Sequence, residues 1–98
     1  MRIGGRFPLQ LRKRYISGVL DCVSIAHNLS RSGLYTRLLS RADVGLAVFS
    51  VVALPTGSAL AARGHVVRLE QLAGGGWGVA VRFTSGRLLS NDTHGILG

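Results

Sequence analysis

The 98-residue chain holds one cysteine, two prolines, six aromatic residues and only four acids against twelve bases. Each scarcity excludes something. The lone Cys22 permits no internal disulfide and no cysteine-based zinc spacing, reads as an inert small hydrophobe, and points to a reducing compartment. Asp21, Asp43, Glu70 and Asp92 lie too far apart in sequence to argue a catalytic carboxylate pair. His27, His65 and His94 are scattered, with neither an H-E-x-x-H zinc motif nor a Gly-x-Ser-x-Gly nucleophile elbow. His65 alternates with valines and reads as a rim or core histidine. No enzyme, metal or resident cofactor is expected.

Long apolar runs are missing too. The longest, Leu46–Leu54, is interrupted by Ser50 and is too short to cross a bilayer. The start "MRIGGRFPLQLRKRYISGVL" has a basic head, but Ser17, Asp21 and Ser24 break the solid apolar stretch that a secretory signal needs. A cytoplasmic location without a membrane span is therefore expected. On that expectation the formal glycosylation acceptors at Asn28 and Asn91 meet no glycosylation machinery.

What is present is 47% hydrophobic residues, 14 glycines and a formal charge of +8, with Lys13 the only base that is not arginine. This length makes one domain, since two cores would each be too small to stand alone. Arginine's planar fork donates two parallel hydrogen bonds and suits phosphates and guanine edges, so anionic partners are favoured.

Periodicity reads as strand nearly throughout. "PLQLRKRY" puts Leu9, Leu11 and Tyr15 on one face and Gln10, Arg12 and Arg14 on the other, the period of two of a half-buried strand. "VLDCVSIAH" sets Val19, Val23 and Ile25 in phase, with Asp21 as the misfit. "GLYTRLL" follows a Ser-Arg-Ser-Gly turn, and "GLAVFSVVAL" closes on Pro55, Thr56 and Gly57. "ALAARGHVVRLEQL" and "GWGVAVRF" flank "AGGG", whose glycines supply the positive φ that a hairpin needs. In the last strand Trp77, Val79, Val81 and Phe83 share one face. "AGGGWG" lacks the Lys-Ser/Thr of a phosphate loop and precedes a strand, so it is a turn.

Six short strands with no helical window predict an all-β protein, a closed antiparallel β-barrel. The expected division is a flexible N-terminal arginine arm at 1–7, the barrel at 8–84 and an irregular tail at 85–98, with a C-terminal helix short or absent. The arm has too little apolar surface to hold itself down.

Two polar devices stand out. Arg2 and Arg6 lie on the arm around Gly4 and Gly5, just before Phe7-Pro8-Leu9. The same spacing recurs at Arg37 and Arg41, so position rather than spacing carries the signal. "NLSRSG", from Asn28 to Gly33, reads by itself as a turn in which Asn28 and Ser30 bond their own backbone and Gly33 goes left-handed.

Together these features resemble a PilZ domain, the bacterial receptor module for cyclic di-GMP. That family's signature is RxxxR ahead of the first strand and D/N-x-S-x-x-G further along. Here "RIGGR" leads into "FPLQL" and "NLSRSG" into "LYTRL", while "ARGHVVRLEQLAGGGWGVAVRF" resembles the family's closing hairpin. The resemblance spans roughly Arg2 to Phe83.

It implies a PilZ-like barrel that binds cyclic di-GMP. Arg2 and Arg6 would grip guanine or phosphate, Asn28 would bond a guanine edge, Ser30 would donate its hydroxyl, and Gly33 would let the backbone approach the ligand. Binding would order the arm, and a separate protein effector would read the change. Against that pattern, a short arm ahead of Arg2, a tail that supplies no closing helix and action without an attached output domain are the expected departures.

Two other readings stay open. One is a PilZ-like interaction module that binds no nucleotide; the intact motif residues argue against it. The other is a small basic barrel binding nucleic acid, suggested by the net charge and the run Arg12-Lys13-Arg14. Nucleic acid is the less expected partner, because such barrels display aromatics for base stacking while Trp77 and Phe83 read as core. Salt dependence separates the two, being steep for many phosphates and mild for two.

Overall fold

A computed structural model of the chain describes residues 2–15 and 18–89, giving only the backbone of 2–4. Six strands form: β1 (Arg2–Tyr15), β2 (Gly18–Ser30), β3 (Gly33–Leu38), β4 (Ala47–Ala53), β5 (Ala59–Gln71) and β6 (Trp77–Leu89). They close into one antiparallel barrel in the order β1-β2-β3-β6-β5-β4, β4 returning to β1. No helix occurs among the described residues.

The alternation in the sequence builds the wall. Phe7, Leu9 and Leu11 of β1 point inward and are buried, as are Val48 and Val52 of β4, Leu34 and Leu38 of β3, and Val79 and Val81 of β6. Ala26, Leu29, Ala42 and Val66 complete this core, with Leu60, Trp77 and Phe83 among the residues packed at its margins. Each fully buried Val, Leu or Phe contributes about 1.5–3 kcal/mol relative to exposure, which holds so small a barrel together. The "AGGG" segment is the β5–β6 turn, with Gly75 and Gly76 at φ of 98° and 80° and Leu72 N–H donating to the Gly76 carbonyl at 3.1 Å.

Several details differ from the sequence expectation. The wall has no strand boundary at residue 7: β1 starts at Arg2, and β6 runs on to Leu89 beyond the expected barrel end at 84. Residues 90–98 lie outside the described residues.

The face assigned to β2 is reversed. Leu9 pairs with Ser24 and Leu11 with Cys22, so the even-numbered residues of β2 share the inner side. Val19 and Val23 are left outside, Val23 being 84% exposed. Asp21, the misfit, sits opposite Arg12 and accepts its Nε–H at 2.9 Å.

Lys13 is the third difference. By parity it lies on the inner face with Leu9 and Leu11, and it is fully buried. Its ammonium donates to the Ser40 hydroxyl at 2.7 Å. The surface run Arg12-Lys13-Arg14 is thus two outward arginines flanking an inward lysine.

Candidate functional site

The two polar devices, far apart in sequence, meet across the β1–β2 ladder. Arg2 pairs with Ser30, Ile3 with Leu29 and Gly4 with Asn28. The register then shifts, and pairing resumes at Phe7 with Ala26. Gly5 and Arg6 therefore oppose the single residue His27, a β-bulge that Gly5 enters at a φ of 132°. Against β3, His27 is itself the extra residue, since Ala26 pairs with Thr36 but Asn28 with Tyr35. Two bulges at one place re-aim side chains: before it Ala26 faces the core, and after it Leu29 does.

This twist puts Arg6 and Asn28 on the exposed outer surface and leaves Ser30 half-buried at the barrel rim. The Ser30 hydroxyl accepts the Ser32 N–H at 3.2 Å and lies 3.0 Å from the Ser32 hydroxyl, a local turn of the kind its sequence suggests. Gly33 is not left-handed; its φ is not positive. Its demand for glycine comes from packing instead. A Cβ there would run into the backbone carbonyl of Val81 on β6. Gly33 pairs with Arg82 and lets β3 leave the turn pressed against β6.

Three residues that no motif singled out join the outer surface here. Tyr35 and Arg37 alternate outward from β3, and His27 sits in the bulge, with its ring centroid 6.5 Å from that of Tyr35 at an interplanar angle of 59°. Burial, then the positive charge of Arg37 and of Arg6, pushes the His27 imidazolium below its ordinary range, so the ring is neutral at neutral pH. Period-two spacing from Gly33 would have found Tyr35 and Arg37; the bulge at His27 has no sequence signal.

The charge around this patch is uncompensated. Among the described residues the ion pairs are Arg12–Asp21, Arg41–Asp43 and Arg68–Glu70, and neither Arg6 nor Arg37 takes part. A patch with free guanidinium groups, an amide and an aromatic ring is suited to a planar, phosphate-bearing ligand. A cavity opens at the barrel mouth, with Ser30 itself in its lining. It measures about 770 Å³ between Leu29, Leu54, Leu60 and Phe83, with Arg31 and Arg87 also lining it. Its lining is mainly apolar, the open end of the core rather than a phosphate cradle.

The nucleic-acid reading loses much of its charge. Lys13 is inside, and Arg12 is tied to Asp21, which leaves Arg14 as the one unpaired cation of that run among the described residues.

Six antiparallel strands closed in this order make a PilZ-like barrel. Among solved structures, the chain is similar to the Bacillus subtilis inhibitor of motility MotI/DgrA, with a TM-score of 0.72 and 12% identity. The match covers 86% of this chain and 41% of the other, so the chain spans less than half of that protein's length. At this identity the likeness is one of fold. No protein-family model matches the chain, and no curated protein does.

Proposed function

We propose that this barrel is a receptor for cyclic di-GMP rather than an enzyme. One observation supports the reading above the others: the ladder sets Arg2 opposite Ser30 and Gly4 opposite Asn28, so the arginine arm and the Asn-x-Ser-x-x-Gly turn are neighbours on one wall. Ligands with two phosphates and two guanines need both cationic forks and edge-reading groups.

In this reading Arg2 and Arg6 clamp phosphate or the O6/N7 edge of guanine. Asn28 bonds a second guanine edge, and Ser30 exchanges its turn contact for a hydrogen bond to base or phosphate. Gly33 holds the turn against β6 so that the backbone approaches the ligand closely. The ligand ties the Arg2–Gly4 end of β1, already paired with β2, more firmly to the barrel, and a separate cytoplasmic protein reads that change. The ligand is a dissociable messenger and no cofactor is involved.

Calorimetric titration of the wild type and Arg6→Ala with cyclic di-GMP tests this. Micromolar binding in the wild type that disappears in the variant supports the receptor. Absence of heat from a barrel shown folded by circular dichroism sinks it and leaves the interaction module. DNA binding that falls steeply with salt, without dinucleotide binding, favours the nucleic-acid reading.

A further inference from the structure

One row of residues crosses the outside of four strands: Asn28 of β2 pairs with Tyr35 of β3, Tyr35 with Ala80 of β6, and Ala80 with Arg68 of β5. In the next row Arg37 pairs with Gly78 and Gly78 with Glu70. Tyr35 does not stand off the wall. It leans diagonally onto Gly78, so that a Cβ on that glycine would meet the Tyr35 hydroxyl and lie 3.0 Å from Cζ of the ring. From the other side the Glu70 side chain closes in, its Cγ 2.9 Å from the same point. Gly78 is buried beneath these two side chains, although it lies on an outward position of its strand.

A tyrosine laid along a sheet presents a ring face outward, and the surroundings say what such a face is for. His27 lies at one side of the ring, and Arg37 is two residues along the same outer face. Cations beside a half-buried aromatic ring on the outer face suit a planar base that carries phosphate. Glu70 supplies what a cationic patch otherwise lacks, a hydrogen-bond acceptor. Guanine presents its N1–H and N2–H donors on one edge, whereas adenine has an unprotonated N1 there, so a carboxylate at the end of the platform favours guanine. The partner of Glu70, Arg68, stands 3.8 Å away in an exposed and weak pair, which leaves carboxylate lone pairs free.

We propose that Tyr35, Gly78 and Glu70 form a guanine seat: Tyr35 stacks on one base of the ligand, Gly78 lets the ring lie down, and Glu70 reads the donor edge. The seat rests on the receptor reading and adds to it the residues that select guanine over adenine. None of the three belongs to the arm or to the Asn-x-Ser-x-x-Gly turn.

The test combines calorimetry with proton NMR of the bound dinucleotide. Cyclic di-GMP and cyclic di-AMP are titrated into the wild type, Tyr35→Leu, Tyr35→Phe, Gly78→Ala and Glu70→Gln. Tyr35→Leu weakens cyclic di-GMP binding about tenfold or more. It also removes the upfield shift of one guanine H8 that ring-current shielding produces. Tyr35→Phe keeps both. Gly78→Ala displaces the ring and lowers affinity, and Glu70→Gln narrows the preference for guanine over adenine.

A folded Tyr35→Leu barrel with unchanged affinity and the same H8 shift overturns the seat and leaves the receptor standing. A wild type that binds neither dinucleotide overturns both. Should Tyr35→Leu unfold, an unchanged affinity in Gly78→Ala together with no H8 shift in the wild type overturns the seat.

Discussion

The β1–β2 ribbon presents two very different patches to the outside. Its far half shows Val19 and Val23, with Arg12 facing Asp21 across the ladder and Arg14 facing Val19. Its near half, past the double bulge, shows Arg6, His27 and Asn28 beside Tyr35 and Arg37 of β3, where Glu70 of β5, in the ladder row of Arg37, pairs with Arg68 instead. One ribbon with one hydrogen-bond pattern thus carries a surface where Arg12 is paired with an acid and another where, among the described residues, neither Arg6 nor Arg37 is. Charge left unmatched costs self-repulsion, and it is held where an anion can repay it. The bulge is the point at which the inward row of β2 passes from Ala26 to Leu29, which leaves Asn28 outward.

The comparison breaks most completely at the near half. Arg6→Ala removes a cation that no acid restrains, and cyclic di-GMP affinity falls by at least about tenfold, as measured by calorimetry. Gly33→Ala is felt as stability rather than affinity. Its Cβ meets the Val81 carbonyl, so β3 and β6 must part, costing about 2 kcal/mol in chemical denaturation.

A smaller effect follows from His27. Its imidazolium is disfavoured in the free barrel by burial, Arg37 and Arg6, and an anionic ligand at the patch reverses the last two influences. Affinity therefore rises severalfold between about pH 7.5 and pH 5.5, and binding takes up protons, which calorimetry in two buffers of different ionisation heat detects. The unliganded barrel moves the other way. Its folded-state imidazole lies below the unfolded one, so this contribution to stability is whole above pH about 6.5 and is lost as the pH falls below it. In the far half, Asp21→Asn leaves both the melting temperature and ligand affinity unchanged, because the Arg12 pair is exposed.

How far the sequence reached depends on whether a feature is local. The alternation in β1 and β6 named the inner faces correctly, and glycines marked the turn before Trp77, because period and turn chemistry are properties of neighbouring residues. The face of β2 was not legible. It is set by which residue of β1 lies opposite, and Val19, Val23 and Ile25 in one row outweighed Leu20, Cys22 and Ala26 in the other in a periodic reading. Lys13 shows the limit most sharply. Parity placed it inside while its charge argued for outside, and the deciding partner, the Ser40 hydroxyl, lies 27 positions away.

At the site, the sequence named Arg2, Arg6, Asn28, Ser30 and Gly33 through a resemblance, and the register sets two pairs from these segments side by side. It missed Tyr35, Arg37 and Glu70. Tyr35 and Arg37 share a face of β3 by period two, but Glu70 joins them only once β3, β6 and β5 are stacked in register, which no spacing along the chain encodes. Gly33 was named for a left-handed turn and is required instead for the closeness of β6.

The way β1 is held has a further consequence. Leu9–Lys13 form the seam with β4 that closes the barrel, while Arg2–Gly4 are paired with β2 alone among the described residues. The first turnings of the chain can therefore unzip without breaking the ring. Peeling costs a few ladder bonds, whereas opening the seam costs the core. The two events belong to separate cooperative units, with amide hydrogens at Ile3 exchanging far sooner than those at Leu11. Movement of the strand's first residues and survival of the fold can then proceed on different clocks within a single strand.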